Sequence, residues 1–223
     1  MSNKIGDIVW AGTLGAVVIA LIVPQSRELF VDSTKAYPYI MGFLKVALLA
    51  TMGELLAGRI VSGSWVKPVG LIWRSIIWGF FGVAFALVFP LFSAGTQAVI
   101  KMKLLPILED GFAEKLSIAF WTSTITNLIF APTFMAFHRI TDTWIEAAEG
   151  TFSGIIKTPL SKVTSTIQWS AFIDFVVCRT IPIFWIPAHT VTFLLPPEYR
   201  VLSASLLSIA LGGILGFAKK RKS

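Results

Sequence analysis

Residues 69–93 read VGLIWRSIIWGFFGVAFALVFPLFS, a run in which Arg74, near the start, is the only charged residue. A helix of this length rises about 37 Å, more than the roughly 30 Å hydrocarbon core of a bilayer. The run is continuously apolar and does not alternate, which favours a helix over a strand of a membrane β-barrel. In lipid only structures that satisfy their own backbone hydrogen bonds survive. The composition agrees with a membrane protein. Hydrophobic residues make up 55% of the chain, charged residues 14%, and the mean hydropathy is +0.77. A soluble domain is usually about 25% charged.

Five further apolar segments lie outward from this run, at 8–24, 38–58, 117–138, 170–195 and 199–218. The fold class is therefore all-α: a polytopic transmembrane bundle of about six helices. The whole chain, 1–223, reads as a single membrane domain. It comprises an N-terminal extra span (1–36), a main region (37–218) and a basic tail (219–223). The connections at 25–37 and 59–68 are short, and 196–198 permits only a tight hairpin. Residues 139–169 form an amphipathic surface segment, and 94–116 are a second polar surface. The fifth segment contains FWIPAHTVTFLLPPEYR (184–200), with Pro182 just upstream. Pro182 and Pro187 each remove a backbone donor, so the fifth helix is expected to be proline-broken.

The formal charge of +7 does not point to nucleic acid in so apolar a chain. Lys and Arg at helix ends set orientation and meet anionic headgroups. With six spans, ten Lys and Arg fall on the side of both termini and six on the other. This predicts a multi-pass protein with both termini in the cytoplasm, or in the matrix if the membrane is mitochondrial. Only Lys4 precedes the first apolar run and no small-residue cleavage site follows it, so the run reads as a span and not as a signal peptide. Cys178 is the single cysteine, so no internal disulfide can form. No enzymatic motif is present, and two histidines with one cysteine argue against a transition-metal site. The expectation is a non-enzyme with no cofactor. Its expected partners are the lipid bilayer and an unknown small solute. Small-xxx-small pairs at Gly212/Gly216, Gly82/Ala86 and Gly53/Ala57 suit tight packing, within the bundle or in a homo-oligomer.

Three stretches line up with one family. YPYIMGFLKVALLATMGELLAG (37–58) has a Tyr-Pro start at Pro38 and a Gly-acid pair at Gly53 and Glu54. TNLIFAP (126–132) ends in Ala131 and Pro132. WIPAHTVTFLLPPEYR (185–200) supplies Trp185, Pro187, Phe193, Pro197, Tyr199 and Arg200. With one-residue gaps, these resemble the signatures of the Mpv-seventeen and peroxisomal membrane protein family. The resemblance covers about 37–218. Glu54 stands for the family's Asp, Thr126 and Asn127 for its acid and amide, and Thr192 for its Asn. Such a divergent member, with a prokaryotic origin open to it, is implied to be a channel-like membrane protein. The family is usually drawn with four spans, against five apolar segments here.

Ionisable groups inside spans are costly and mark candidate sites. Lys45 and Glu54 share a helix but point to opposite faces, so they cannot pair with each other. Lys45 and Arg74 are within reach of the interface by snorkelling. Arg179 falls about 15 Å into the fifth helix, where snorkelling fails. The candidate pore or cavity residues are Glu54, Asn127, Asp174, Arg179, His189 and Thr192. On a straight α-helix Asp174 and Arg179 point apart, so Glu54 is the better partner for Arg179. A polar cavity with Arg179 at mid-depth would favour anions. The alternative is a non-transporting structural or assembly protein whose buried charges simply pair.

Overall fold

The computed structural model describes residues 3–221; the last two positions of the basic tail lie outside them. The described residues form helices and turns with no strand. Ten helices run in chain order. They are α1 (Asn3–Ile22), α2 (Pro24–Ala36), α3 (Pro38–Ser62), α4 (Leu71–Lys101) and α5 (Gly111–Ile129), then α6 (Ala131–Ala147), α7 (Phe152–Lys157), α8 (Leu160–Thr166), α9 (Trp169–Leu194) and α10 (Pro197–Lys220). Five of them, α1, α3, α4, α9 and α10, are long and apolar enough to cross a membrane; α5 and α6 together make a sixth, bent span. This is a multi-pass membrane bundle.

Helix α3 is the centre, packed between α4 and α10. Its faces carry two apolar clusters. Val46 and Ala50 meet Phe89, Phe193, Val201 and Ala204. Leu49 and Met52 meet Leu202, with Trp10, Leu14 and Val17 of α1 laid over them. No hydrophobic force drives helices together in lipid, so close approach at small residues has to do it. A Cβ on Gly212 of α10 would sit 2.6 Å from the carbonyl oxygen of Gly53, and a Cβ on Gly53 would sit 2.8 Å from that of Ser208. Gly216 rests on Ala57 and Ile60. Two of the small-residue pairs seen in sequence thus face each other inside one chain. The third, Gly82 with Ala86, faces Gly42 of α3.

Helix α1 has a firm seat despite its exposed flank. The indole of Trp10 donates to Met52 O at 3.0 Å, Arg59 pairs with Asp7 at 3.1 Å, and Asn3 Nδ2 donates to Gly63 O at 3.1 Å. These contacts put the start of α1 beside the end of α3. The Gly216 contact puts the end of α10 there too, so both termini share one end of the bundle.

Three boundaries differ from the sequence reading. The connection at 25–37 is itself helical: Pro24 opens α2, which folds under the bundle. The third span runs on to Lys101, through Pro90, so the first part of the supposed polar surface at 94–116, residues 94–101, is helix. The sharp break falls in the fourth segment and not in the fifth. Pro132 cannot donate to the carbonyl four residues back, and α5 and α6 meet there at 45°. The fifth segment continues through Pro182 and Pro187. It does so by loosening, because Phe172–Trp185 winds as a π-helix in which bonds run five residues back. The amide of Ile186 accordingly donates to Ile181 O.

Gly212→Leu should drive a side chain into the α3 backbone and lower stability by about 1–3 kcal/mol. Thermal unfolding of the purified protein in detergent, against Ala210→Leu as a control for added bulk on the same helix, measures it.

Candidate solute cavity

A cavity of about 620 Å³ lies among α3, α4, α5, α6, α9 and α10. Its walls carry several aromatic rings, among them Trp78, Phe85, Phe89, Phe134 and Trp185. One side is ionic. Arg74 reaches in from the first turn of α4, its side chain 8% exposed. Its guanidinium lies 2.9 Å from Asp142, 2.9 Å from Glu146 and 3.9 Å from Glu54, while its Nε donates to Val69 O at 3.0 Å. The indole of Trp78 donates to Glu54 at 2.7 Å. His138 sits between two of the acids, 3.7 Å from Glu54 and 3.5 Å from Asp142, with its ring against Trp78 at a centroid distance of 4.3 Å.

The local folding explains this convergence. His138 and Asp142 are four apart on α6, so they share a face. The bend at Pro132 turns that face toward Glu54 of α3 and Arg74 of α4. Glu54, His138 and Asp142 bring ligand-type atoms within 4.8 Å of one another, but Arg74 already holds the cationic place among them.

Deeper in, Asn127 presents its side-chain amide to His189 Nδ1, with the nitrogen at 3.1 Å and the oxygen at 3.2 Å. Its nitrogen also donates to Ser123 O at 2.9 Å, so Asn127 is fully buried but not idle. Two buried ring nitrogens on the cavity wall, Trp185 Nε1 and His138 Nε2, have no hydrogen-bond partner within the described residues.

A second cavity, of about 510 Å³, lies toward the opposite end, under α2 and the α9–α10 hairpin. Phe85 and Phe89 line both cavities. Their rings stack at 5.4 Å, and Phe89 also meets His189 and Phe193 at 5.9 and 5.3 Å. This aromatic layer divides the two spaces.

Of the six residues singled out in sequence, Glu54, Asn127 and His189 line the first cavity. The other three do not. Thr192 is buried, its hydroxyl 2.9 Å from Ser203 Oγ in the α9–α10 packing. Arg179 and Asp174 lie on the outer face of α9, their side chains 63% and 66% exposed, and pair with each other at 3.1 Å. The geometric expectation failed because it assumed α-winding. In the π-wound stretch residues five apart stack, and the Thr180 hydroxyl likewise reaches Phe175 O at 2.9 Å. The anion preference argued from Arg179 loses its footing with it.

The sequence reading assigned Arg74 to snorkelling and left His138 and Asp142 out of the candidate cavity. The signals were there: a lone charge in an apolar run, and a His-Asp pair at helical spacing. Arg74 does not snorkel, because the bend of α6 brings carboxylates to it.

The other family-like residues mostly shape the frame. Pro38 and Pro197 open α3 and α10, and Tyr199 meets Phe30 at 5.8 Å. Trp185 lines the first cavity, while Pro187 starts the α-wound end of α9. Arg200 closes the α9–α10 hairpin, donating to Leu195 O, Phe193 O and Ser93 Oγ at 3.0–3.2 Å.

Arg74→Met should strand two partly buried carboxylates and cost about 3 kcal/mol. Glu146→Gln, at a side chain 66% exposed, should cost less than about 1 kcal/mol. Thermal unfolding of both variants against wild type checks the contrast. Comparison with protein-family models, curated proteins and solved structures finds no match to this chain.

Proposed function

We propose that the protein is channel-like or transporter-like, carrying small polar solutes through the bundle by way of the two cavities. The observation that carries this reading is their arrangement: they approach from opposite ends and share only the Phe85–Phe89 layer. Polar groups at depth support it. Ionisable residues inside membrane spans usually mark solute or ion paths. Here Glu54, His138, Asn127 and His189 border the first cavity, and Trp185 Nε1 has a donor to spare. A stacked aromatic pair between two cavities is suited to act as a hydrophobic constriction, which can gate by dewetting.

Two lesser proposals accompany it. The distant resemblance to the Mpv-seventeen and peroxisomal membrane protein family is in keeping with a channel. The excess of Lys and Arg at the end holding both termini favours that end facing the cytoplasm, or the matrix in a mitochondrion.

The second reading, a structural or assembly protein, draws on one specific observation. Arg74 is neutralised within the chain by its own acids, as a purely structural network would be.

Efflux of graded neutral and charged solutes from proteoliposomes separates the two. Wild type should release small polar solutes, and Phe89→Ala, which opens the aromatic layer, should release them faster. If neither folded protein passes any solute, the structural reading stands in its place.

A further inference from the structure

We propose that the second cavity is an oxyanion site, in which Lys45 and Arg200 hold a phosphate or carboxylate group. Lys45 leaves water almost completely, with 8% of the residue exposed, on the seventh residue after the start of α3. Its Nζ donates to Thr34 Oγ1 at 3.1 Å and lies 4.8 Å from the centre of the Phe30 ring. Helix α2 supplies both groups. An ammonium has three donors, so two remain, and no carboxylate lies within ion-pair distance of Lys45 among the described residues. A buried charge without a counter-charge is costly. The chain could have avoided that cost with Met or Leu, so an outside partner for Lys45 is the economical explanation.

Arg200 lines the same cavity and repeats the pattern. Its three acceptors, Leu195 O, Phe193 O and Ser93 Oγ, are all uncharged. They use three of its five donors. The one acid of the cavity wall, Glu198, is engaged at 3.4 Å by Lys35. That leaves two cations beside a space of about 510 Å³, with Ser93 and Gln97 as further polar groups on its wall. Guanidinium and ammonium together suit an oxyanion, through short charge-assisted hydrogen bonds. The first cavity differs: there Arg74 touches acids of its own, whereas here neither Lys45 nor Arg200 has a carboxylate at ion-pair distance, and Glu198, which acts on Arg200 only at longer range, is shared with Lys35.

The inference deepens the reading above by naming the chemistry admitted at one end, but it is tested by binding and not by flux. A failure of transport would leave it standing. An oxyanion could come from solution or from a lipid headgroup, and two arms separate these. The full chain in a zwitterionic detergent is unfolded thermally in sodium phosphate and in sodium chloride at equal ionic strength. A parallel series uses mixed micelles with phosphatidylglycerol or phosphatidylcholine.

Phosphate should raise the unfolding midpoint of wild type, and Lys45→Met should weaken the apparent affinity about tenfold or more. Lys45→Arg should keep the response. A response to phosphatidylglycerol alone, abolished in Lys45→Met, would assign the same site to a lipid headgroup. Should Lys45→Met fail to fold, Ser93→Asp places a carboxylate beside Arg200 and should abolish binding. Wild type indifferent to both phosphate and phosphatidylglycerol, or Lys45→Met or Ser93→Asp responding like wild type, would overturn the proposal.

Discussion

The guanidinium of Arg74 is the point on which the termini-side half of the bundle turns. Moving such a group out of water costs several kcal/mol unless carboxylates and hydrogen bonds replace its hydration. Here Asp142 and Glu146 come from α6, Glu54 from α3, and a backbone carbonyl from the loop before α4. No single helix could supply them. The network therefore ties α3, α4 and α6 into one relative position. It depends on the 45° bend at Pro132, without which α6 would continue the line of α5 and its acids would point elsewhere. The same bend opens the room that becomes the first cavity. One missing backbone donor thus has both an electrostatic and a volumetric consequence.

Opposite requirements act along α3. On one face it must come close to α10 and α4, which it does at Gly53 and Gly42. On another it must stand off far enough to leave space beside Glu54 and Ala50, where the cavity begins. The alternation of glycine with apolar bulk makes both possible. Gly53 and Glu54 are adjacent in sequence and so lie about 100° apart around the helix. One faces a neighbouring backbone, and the other faces the cavity.

The sequence made the membrane class and most spans legible because long apolar runs have one physical explanation. It also placed the small-residue seams, since Gly212, Gly216, Gly53 and Ala57 carry their spacing on their face. What it could not convey was winding and bend. Pro132, Pro182 and Pro187 look alike as letters. Pro132 breaks a helix, Pro182 is absorbed within a π-wound stretch, and Pro187 sits where that stretch returns to α-winding. That distinction moved Arg179 from the interior to the outer face and gave it Asp174 as a partner. Arg74 went the other way for a related reason: its acids arrive from a helix whose direction only the bend decides. Glu54, Asn127 and His189 sit on α-wound stretches, where helical periodicity holds.

The two cavities differ in charge although they share a wall. Beside the first, Arg74, Arg139 and Lys219 stand against Glu54, Asp142 and Glu146, so the formal charges of the wall balance. Beside the second, Lys35, Lys45 and Arg200 outnumber the single acid Glu198, which pairs with Lys35. In a low-dielectric surround such uncancelled charge acts over a longer range than it would in water. A solute crossing the Phe85–Phe89 layer would therefore move between a charge-balanced space and a positive one. On the proposed function, that gradient suits a solute with uncharged polar parts for the first cavity and a negative group for the cations of the second. The asymmetry comes from which helix covers each end. Helix α6 carries acids and α2 lays Thr34 and Phe30 over Lys45, so the two ends differ because unlike helices close them.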